Sequence, residues 1–352
     1  MNQQRLQKVL DNMKQAGLHQ LLVTETEPVY YLTGIWVSPM ERMMALYIRE
    51  DGKVTFFGNK LFAIAPQEGL EMVEHTDSDD PVAQLAAAVL PGELGIDETW
   101  PSRFLIGLMS HRPDVKPVLG SEPVAQATMY KDEEERELMR AASRIDDACI
   151  DMAIHAIREG ITEKELSSKV EHFFQEKGCD HLGFSIVAMG ANGADPHHGT
   201  DGTVLKEGDS IVMDIGAPFN HYWCDMTRTV FYKSASEEQR TVYETVRRAN
   251  EAAIAVVKPG VAFKEIDLAA RKVIEDAGYG EYFTHRTGHS IGMKEHEQPP
   301  VSSECEVIAK PGMIFSIEPG IYLPGKFGVR VEDLVLVTED GCEVLNKYPK
   351  DL

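Results

Sequence analysis

The chain repeats itself once, at long range. "IREGITEKEL", from Ile157, and "VKPGVAFKEI", from Val257, share Gly160/Gly260, Lys164/Lys264 and Glu165/Glu265, each pair 100 positions apart. Further on, "KEGDSIVMDIG" (Lys206 to Gly216) and "KPGMIFSIEPG" (Lys310 to Gly320) fit one frame, K-x-G-x5-acid-x-G, which superposes Asp214 on Glu318. Solenoids repeat roughly every 20–50 residues and need about three units or more, so a single repeat of this length marks a duplicated half-domain. The fold must therefore hold two similar halves, each running from helices into strands.

Ahead of the duplication, apolar runs such as "HQLLVT", "MALYIRE" and "KVTFFGN" alternate with helical patterns, the amphipathic "MNQQRLQKVLDNMKQAG" among them. This is the rhythm of a small α/β domain. Residues 1–130 are assigned to it and residues 131–352 to a second domain, which makes the chain α+β overall. From Lys131, "KDEEERELMRAASRIDDACIDMAIHAIREG" has acids in its first turns, apolar positions at helical spacing and Gly160 as a stop. It predicts a long helix with a solvated "KDEEERE" start. "ITEKELSSKVEHFFQEKGC" and "AFKEIDLAARKVIEDAGYG" predict two further amphipathic helices, ending at Gly178 and Gly278.

Charge narrows the partners. The 352 residues carry 57 acids against 35 Lys and Arg, a formal charge of −22, which repels phosphate backbones and anionic membrane surfaces. Neither nucleic acid nor membrane is expected as a partner. The chain has no run of about 18 apolar residues and no apolar signal-peptide core at its start, so a cytoplasmic location is expected. Five scattered cysteines without CxxC spacing suggest neither a disulfide framework nor a zinc knuckle.

The acids are placed oddly. "IVMDIGAPFNHYWCDMTRTV" reads as a β-hairpin turning at Pro218-Phe219-Asn220, which sets Asp214 opposite Asp225. Glu318 and Glu332 lie symmetrically about Gly325 in "EPGIYLPGKFGVRVE", a second facing pair. Like charges directly opposite destabilise a sheet. Four converging carboxylates would raise one another's pKa until they neutralised, unless divalent cations supplied the opposing charge. An imidazole from "HRTGHSIGMKEHEQP" would move the preference toward Mn, Fe, Co or Zn. Four carboxylates and one His exceed what one ion with an open position needs, and fit two bridged ions.

Asp214 in "DIG", Asp225 in "CDMTRT", His289 in "GHSIG", Glu318 in "SIEPG" and Glu332 in "RVED" resemble the five metal ligands of the pita-bread metallopeptidases. That family includes methionine aminopeptidase, aminopeptidase P and prolidase. The resemblance spans about residues 130–352, and the N-terminal α/β domain is similar to that of the proline-specific branch. The ending "IEPGIYLPGKFGVRVEDLVLVTEDGCEVLNKYPKDL" resembles bacterial Xaa-Pro dipeptidases.

The resemblance implies a pita-bread catalytic domain with two divalent ions per subunit, Mn2+ first, with Co2+ or Zn2+ as alternatives. Asp214 would chelate one ion, Asp225 and Glu332 would bridge, and His289 with Glu318 would complete the second. Glu318 would also be the general base that passes a proton to the proline nitrogen. His197, 17 residues before Asp214, and His296, 7 after His289, match the family's substrate-contacting histidines and would stabilise the oxyanion. Arg330, two before Glu332, would bind near the substrate and orient Glu332 or Asp225. His181, His198, His221 and His285 are read as structural or solvated.

The implied substrate is a small peptide, an Xaa-Pro dipeptide, with longer Xaa-Pro peptides as the alternative. Some family dipeptidases carry an Arg for the substrate carboxylate where this chain has Pro300. Arg330, Lys294 or Arg42 would replace it, Arg42 from an N-domain loop that also holds Trp36 and Met40 and caps the other subunit of a homodimer. Metal-free binding modules of this fold lose the ligands, and all five stand here.

Overall fold

The computed structural model describes residues 1–351 and divides into two units between Thr128 and Met129. The first is built on six strands: β1 (Gln20–Val23), β2 (Ala45–Arg49), β3 (Val54–Asn59), β4 (Glu71–His75), β5 (Gly92–Ile96) and β6 (Val115–Leu119). They form one mixed sheet in the order β4-β3-β2-β1-β5-β6. The apolar runs of the sequence become its three central neighbours β1, β2 and β3. Leu22, Tyr47 and Phe57 from these strands meet Leu85, Trp100 and Leu108 in one buried cluster. Helix Gln3–Ala16 starts where the Asn2 side chain accepts from the Gln4 and Arg5 amides, and stops at left-handed Gly17.

The second unit contains the duplication in full. Helices Glu133–Ala156 and Glu163–Glu176 precede β7 (Phe184–Met189), β8 (Ser210–Gly216), β9 (Pro218–Phe219), β10 (Tyr222–Trp223) and β11 (Met226–Phe231). Helices Glu237–Val256 and Phe263–Asp276 precede β12 (Gly288–Ser290), β13 (Glu297–Val301), β14 (Ile314–Ile317), β15 (Gly320–Leu323), β16 (Phe327–Arg330), β17 (Asp333–Val337) and β18 (Cys342–Val344). The halves correspond in detail. Isolated bridges Thr162↔Val204 and Ala262↔Ile308 tie down the start of the second helix in each. The first glycine of the repeated frame is left-handed in both, with φ of 87° at Gly208 and 92° at Gly312. Each half packs its own core, one around Ile150, Val170, Phe174 and Met213 and the other around Val246, Phe263, Ile274 and Phe315.

The long helix has a capping box between Asp132 and Glu135. Its start is not solvated throughout, because Glu135 is buried and accepts a hydrogen bond from the Tyr222 hydroxyl at 3.0 Å.

The first acid-bearing hairpin differs from its expected register. Asn220 and His221 take φ of 49° and 69°, the double positive φ of a two-residue type I′ turn, so Pro218 and Phe219 belong to a strand. Pairing then runs Phe219↔Tyr222 and, beyond, Asp214↔Thr227. Asp225 is thus offset by two residues from the position opposite Asp214. A two-residue offset preserves the face, because side chains alternate with period two. In the second hairpin Ile317↔Asp333 and Gly320↔Arg330 bracket Glu318 and Glu332, which face each other as their spacing predicts.

The two halves meet along β11. The Glu332 amide donates to Thr227 O at 3.1 Å, and the Arg330 amide donates to Thr229 Oγ1 at 3.1 Å. Behind this seam Arg228, 1% exposed, donates to Glu332 O at 2.5 Å, Tyr348 O at 2.8 Å and Asp333 Oδ1 at 2.7 Å. Lys350 Nζ reaches Asp333 Oδ2 at 2.7 Å. Breaking one partner out of a buried pair leaves the other charge without compensation, at a cost of about 3–5 kcal/mol. Arg228→Leu is expected to lower the urea-unfolding free energy by about 3 kcal/mol, and a change below about 1 kcal/mol would show that the seam does not depend on it.

Candidate metal centre

Three of the four acids sit at strand ends or breaks, which need fewer ladder hydrogen bonds, and Asp214 lies inside a strand paired on both sides. Asp214 is in β8, Asp225 falls in the break between β10 and β11, and His289 is the middle residue of β12. Glu318 follows β14, and Glu332 sits between β16 and β17. The chain crosses closely at the first break: a Cβ on Gly216 would lie 2.5 Å from Cys224 O. Only glycine allows Asp225 to be brought in beside Asp214 there.

All five side chains line one cavity of about 210 Å³, together with His197, His296, Arg330, His285, Arg286 and Glu295. His289 Nε2 lies 3.5 Å from Asp225 Oδ2 and 3.5 Å from Glu318 Oε1. Ligand-type atoms of Asp225, His289 and Glu332 all lie within 4.8 Å of one another. His289 Nδ1–H donates to Ser290 O at 3.1 Å, which leaves Nε2 as a lone-pair nitrogen aimed at the acids. Ser316 Oγ accepts from the His289 amide and donates to Glu318 Oε1, so one hydroxyl orients both.

The electrostatics of this cluster are those of a site built for cations. Burial, reinforced by Asp214, pushes the Asp225 carboxyl well above its usual range, and burial beside Asp225 does the same to Glu332. Burial pushes Glu318 up to about 7, against the opposing pull of His289 and Arg330. Asp214 Oδ1, Asp225 Oδ1 and Glu332 Oε1 are buried without any hydrogen-bond partner. Buried carboxylate oxygens are ordinarily paired, so three orphans converging on one cavity fit the electron-pair donors of a divalent-metal site.

Arg330 is placed differently from expectation. Its Nη2 donates to Asp214 Oδ2 at 2.5 Å, and it reaches Glu332 only through Thr227, whose hydroxyl accepts from Nε at 3.1 Å and donates to Glu332 at 2.7 Å. Nη1 donates to the Tyr322 hydroxyl at 2.9 Å. Every nitrogen of this buried guanidinium is engaged, so it is a brace within the acid cluster.

His285, read from sequence as structural or solvated, stands on the cavity wall. Its Nδ1–H donates to Arg286 O at 2.7 Å, and Nε2 accepts from Tyr322 Oη at 2.8 Å. Burial pushes this imidazole down to about 4, so it is neutral and the relay Arg330 to Tyr322 to His285 runs in one direction. Tyr322, four residues after Glu318 and inside β15, was missed from sequence. Asp146 was missed too: it is fully buried, neither oxygen has a partner, and burial, reinforced by Asp225, pushes its carboxyl well above the usual range.

His197 and His198 part company. His197 is exposed at the cavity, whereas His198 turns to Glu163 at 2.8 Å. Glu163 also accepts from the Met189 amide, Asn192 Nδ2 and the Asp201 amide, so four donors satisfy it and pin the loop that carries His197. The His296 ring lies against that of His289, with centroids 3.8 Å apart and the planes tilted by 36°. Arg286 Nη2 donates to His296 Nδ1 at 3.4 Å, which assigns the imidazole proton to Nε2.

Known proteins resemble this chain over nearly its whole length. Residues 137–339 match metallopeptidase family M24, and residues 5–128 match the creatinase/prolidase N-terminal domain. A putative dipeptidase of Bacillus subtilis is 35% identical over 99% of both chains. Among solved structures, a prolidase from Thermococcus sibiricus is similar with a TM-score of 0.94 at 34% identity, covering 100% of this chain and 99% of the other. An Xaa-Pro dipeptidase from Bacillus anthracis follows at 0.90 and 28%, covering 99% and 98%. Matches to both units, with the convergent acids inside the longer one, mean that the chain belongs to metallopeptidase family M24.

Proposed function

We propose that the protein is an Xaa-Pro dipeptidase using two divalent ions per chain, Mn2+ first and Co2+ or Zn2+ as alternatives. The carrying observation is the trio of orphaned oxygens on Asp214, Asp225 and Glu332 beside the free Nε2 of His289. Asp214, Asp225, His289, Glu318 and Glu332 would hold the ions, whose Lewis acidity polarises a carbonyl and lowers the pKa of coordinated water towards about 7. Glu318, beside Ser316 Oγ and 3.5 Å from His289 Nε2, accepts a proton and delivers it to the proline nitrogen as the bond breaks. His296, pushed down to about 4 chiefly by burial, presents a neutral Nε2–H to developing negative charge, and His197 lines the same cavity within reach of the substrate.

The names of the related dipeptidases and prolidases support cleavage before proline. A substrate carboxylate beyond the proline ring needs a cation, and Arg330 already engages Asp214, Thr227 and Tyr322. Arg42 donates to Asp77 at 2.8 and 3.0 Å in the N-terminal unit. Arg286, exposed on the cavity wall, is the guanidinium best suited to that carboxylate. The same reading includes a homodimer, in the cytoplasm, whose Trp36 loop closes the neighbouring site; Trp36 is 39% exposed. No helix among the described residues is long and apolar enough to cross a membrane.

Raised carboxyl pKa values make metal binding a proton exchange. Burial raises the carboxyl pKa of Asp225, Glu332 and Glu318 in the metal-free chain, so ions compete with protons for these groups and affinity falls as pH is lowered. Calorimetric titration with Mn2+ in buffers of different ionisation enthalpy is expected to show about one or more protons released per chain, with two ions bound at saturation. Uptake of a single ion with no proton released would contradict the site.

His197→Ala is expected to lower kcat by about 10²–10³ with metal content unchanged, and loss of metal would reassign His197 as a ligand. Xaa-Pro dipeptides are expected to be cleaved well and Xaa-Pro-Xaa-Xaa peptides poorly, with Arg286→Ala raising KM for dipeptides. Equal kcat/KM on the longer peptides would favour the aminopeptidase alternative instead.

A further inference from the structure

Five carboxylates line the cavity, and the metal site uses four of them. The fifth, Glu295, lies between β12 and β13 with its side chain 43% exposed. Two residues on, Glu297 accepts from Lys131 Nζ at 2.8 Å and is nearly buried, so its charge is spent inside the fold. Glu295 has no such anchor: its closest cation-type atom, His296 Nε2, is 3.8 Å away, beyond hydrogen-bond reach. The same cavity has an apolar wall in Phe184 and Ile186. An acid at the rim of an apolar-walled pocket suits a long side chain with an aliphatic stem and a cationic head, which buries the stem and pairs the head.

We infer that Glu295 selects substrates whose residue before proline is Lys or Arg. The inference rests on the dipeptidase reading above and deepens it, because that reading leaves the residue before proline undetermined. The four metal-site acids are unavailable to this cation, since a bound metal takes their charge. Glu295 is a specificity residue, not a metal ligand, and its effect falls on one class of substrate.

The test compares kcat/KM for Lys-Pro, Leu-Pro and Glu-Pro in the metal-loaded protein and in Glu295→Gln. The native chain is expected to rank Lys-Pro over Leu-Pro over Glu-Pro. In Glu295→Gln the ratio of Lys-Pro to Leu-Pro should fall roughly five- to tenfold, chiefly through KM, as expected of a half-buried charge pair. Glu295→Lys should invert the order of Lys-Pro and Glu-Pro. An unchanged Lys-Pro to Leu-Pro ratio in both variants, or an equal loss on all three dipeptides, would overturn the inference while leaving the dipeptidase standing. Failure of the native chain to cleave any of the three would take down both.

Discussion

Mutual repulsion among the carboxylates at the seam is the constraint to which the rest of the second unit answers. Asp214, Asp225, Glu318 and Glu332 share one small cavity, and the single guanidinium placed among them, Arg330, pairs directly with Asp214 alone. An isolated buried carboxylate is expensive and ordinarily neutralises. Holding four together requires rigid backbone on every side. Two cores supply it, one under each half, and Arg228 with Asp333 and Lys350 locks the seam from behind. Neither half alone contains the ligand set, which explains why the duplication is retained as one unit.

Acids elsewhere in the unit show how paired and unpaired carboxylates differ. Glu163 is as buried as Glu332, yet four donors surround it and it organises a loop. Glu297 is matched by Lys131. Glu332 accepts from Thr227 on one oxygen and leaves the other with nothing. Glu332 thus differs from Glu163 and Glu297 in having an unspent buried oxygen, which can serve a cation.

Much of this was legible in the sequence because its periodicities are robust. The repeat placed two helix pairs before two acid-bearing hairpins, and period two kept Asp214 and Asp225 on one face even though their register was misjudged. That misjudgement came from the turn: Asn220-His221 adopts the double positive φ usually supplied by Asn-Gly, and Pro218 looked like the turn signal instead. Contacts made across elements were not legible. Arg330 meets Asp214 rather than its neighbour in sequence, and His285 meets Tyr322, 37 residues further along the chain. The split roles of His197 and His198 likewise depend on a loop conformation set by Glu163, which no spacing rule encodes.

Catalysis of the proposed kind requires that this cavity hold a pair of cations. Anomalous diffraction from crystals of the protein equilibrated with Mn2+ measures this directly. Two peaks about 3.5–4 Å apart, with Asp225 and Glu332 touching both and His289 touching one, are the predicted result. A single peak, or density confined to the Glu163, His198 and Asp201 cluster, would contradict it.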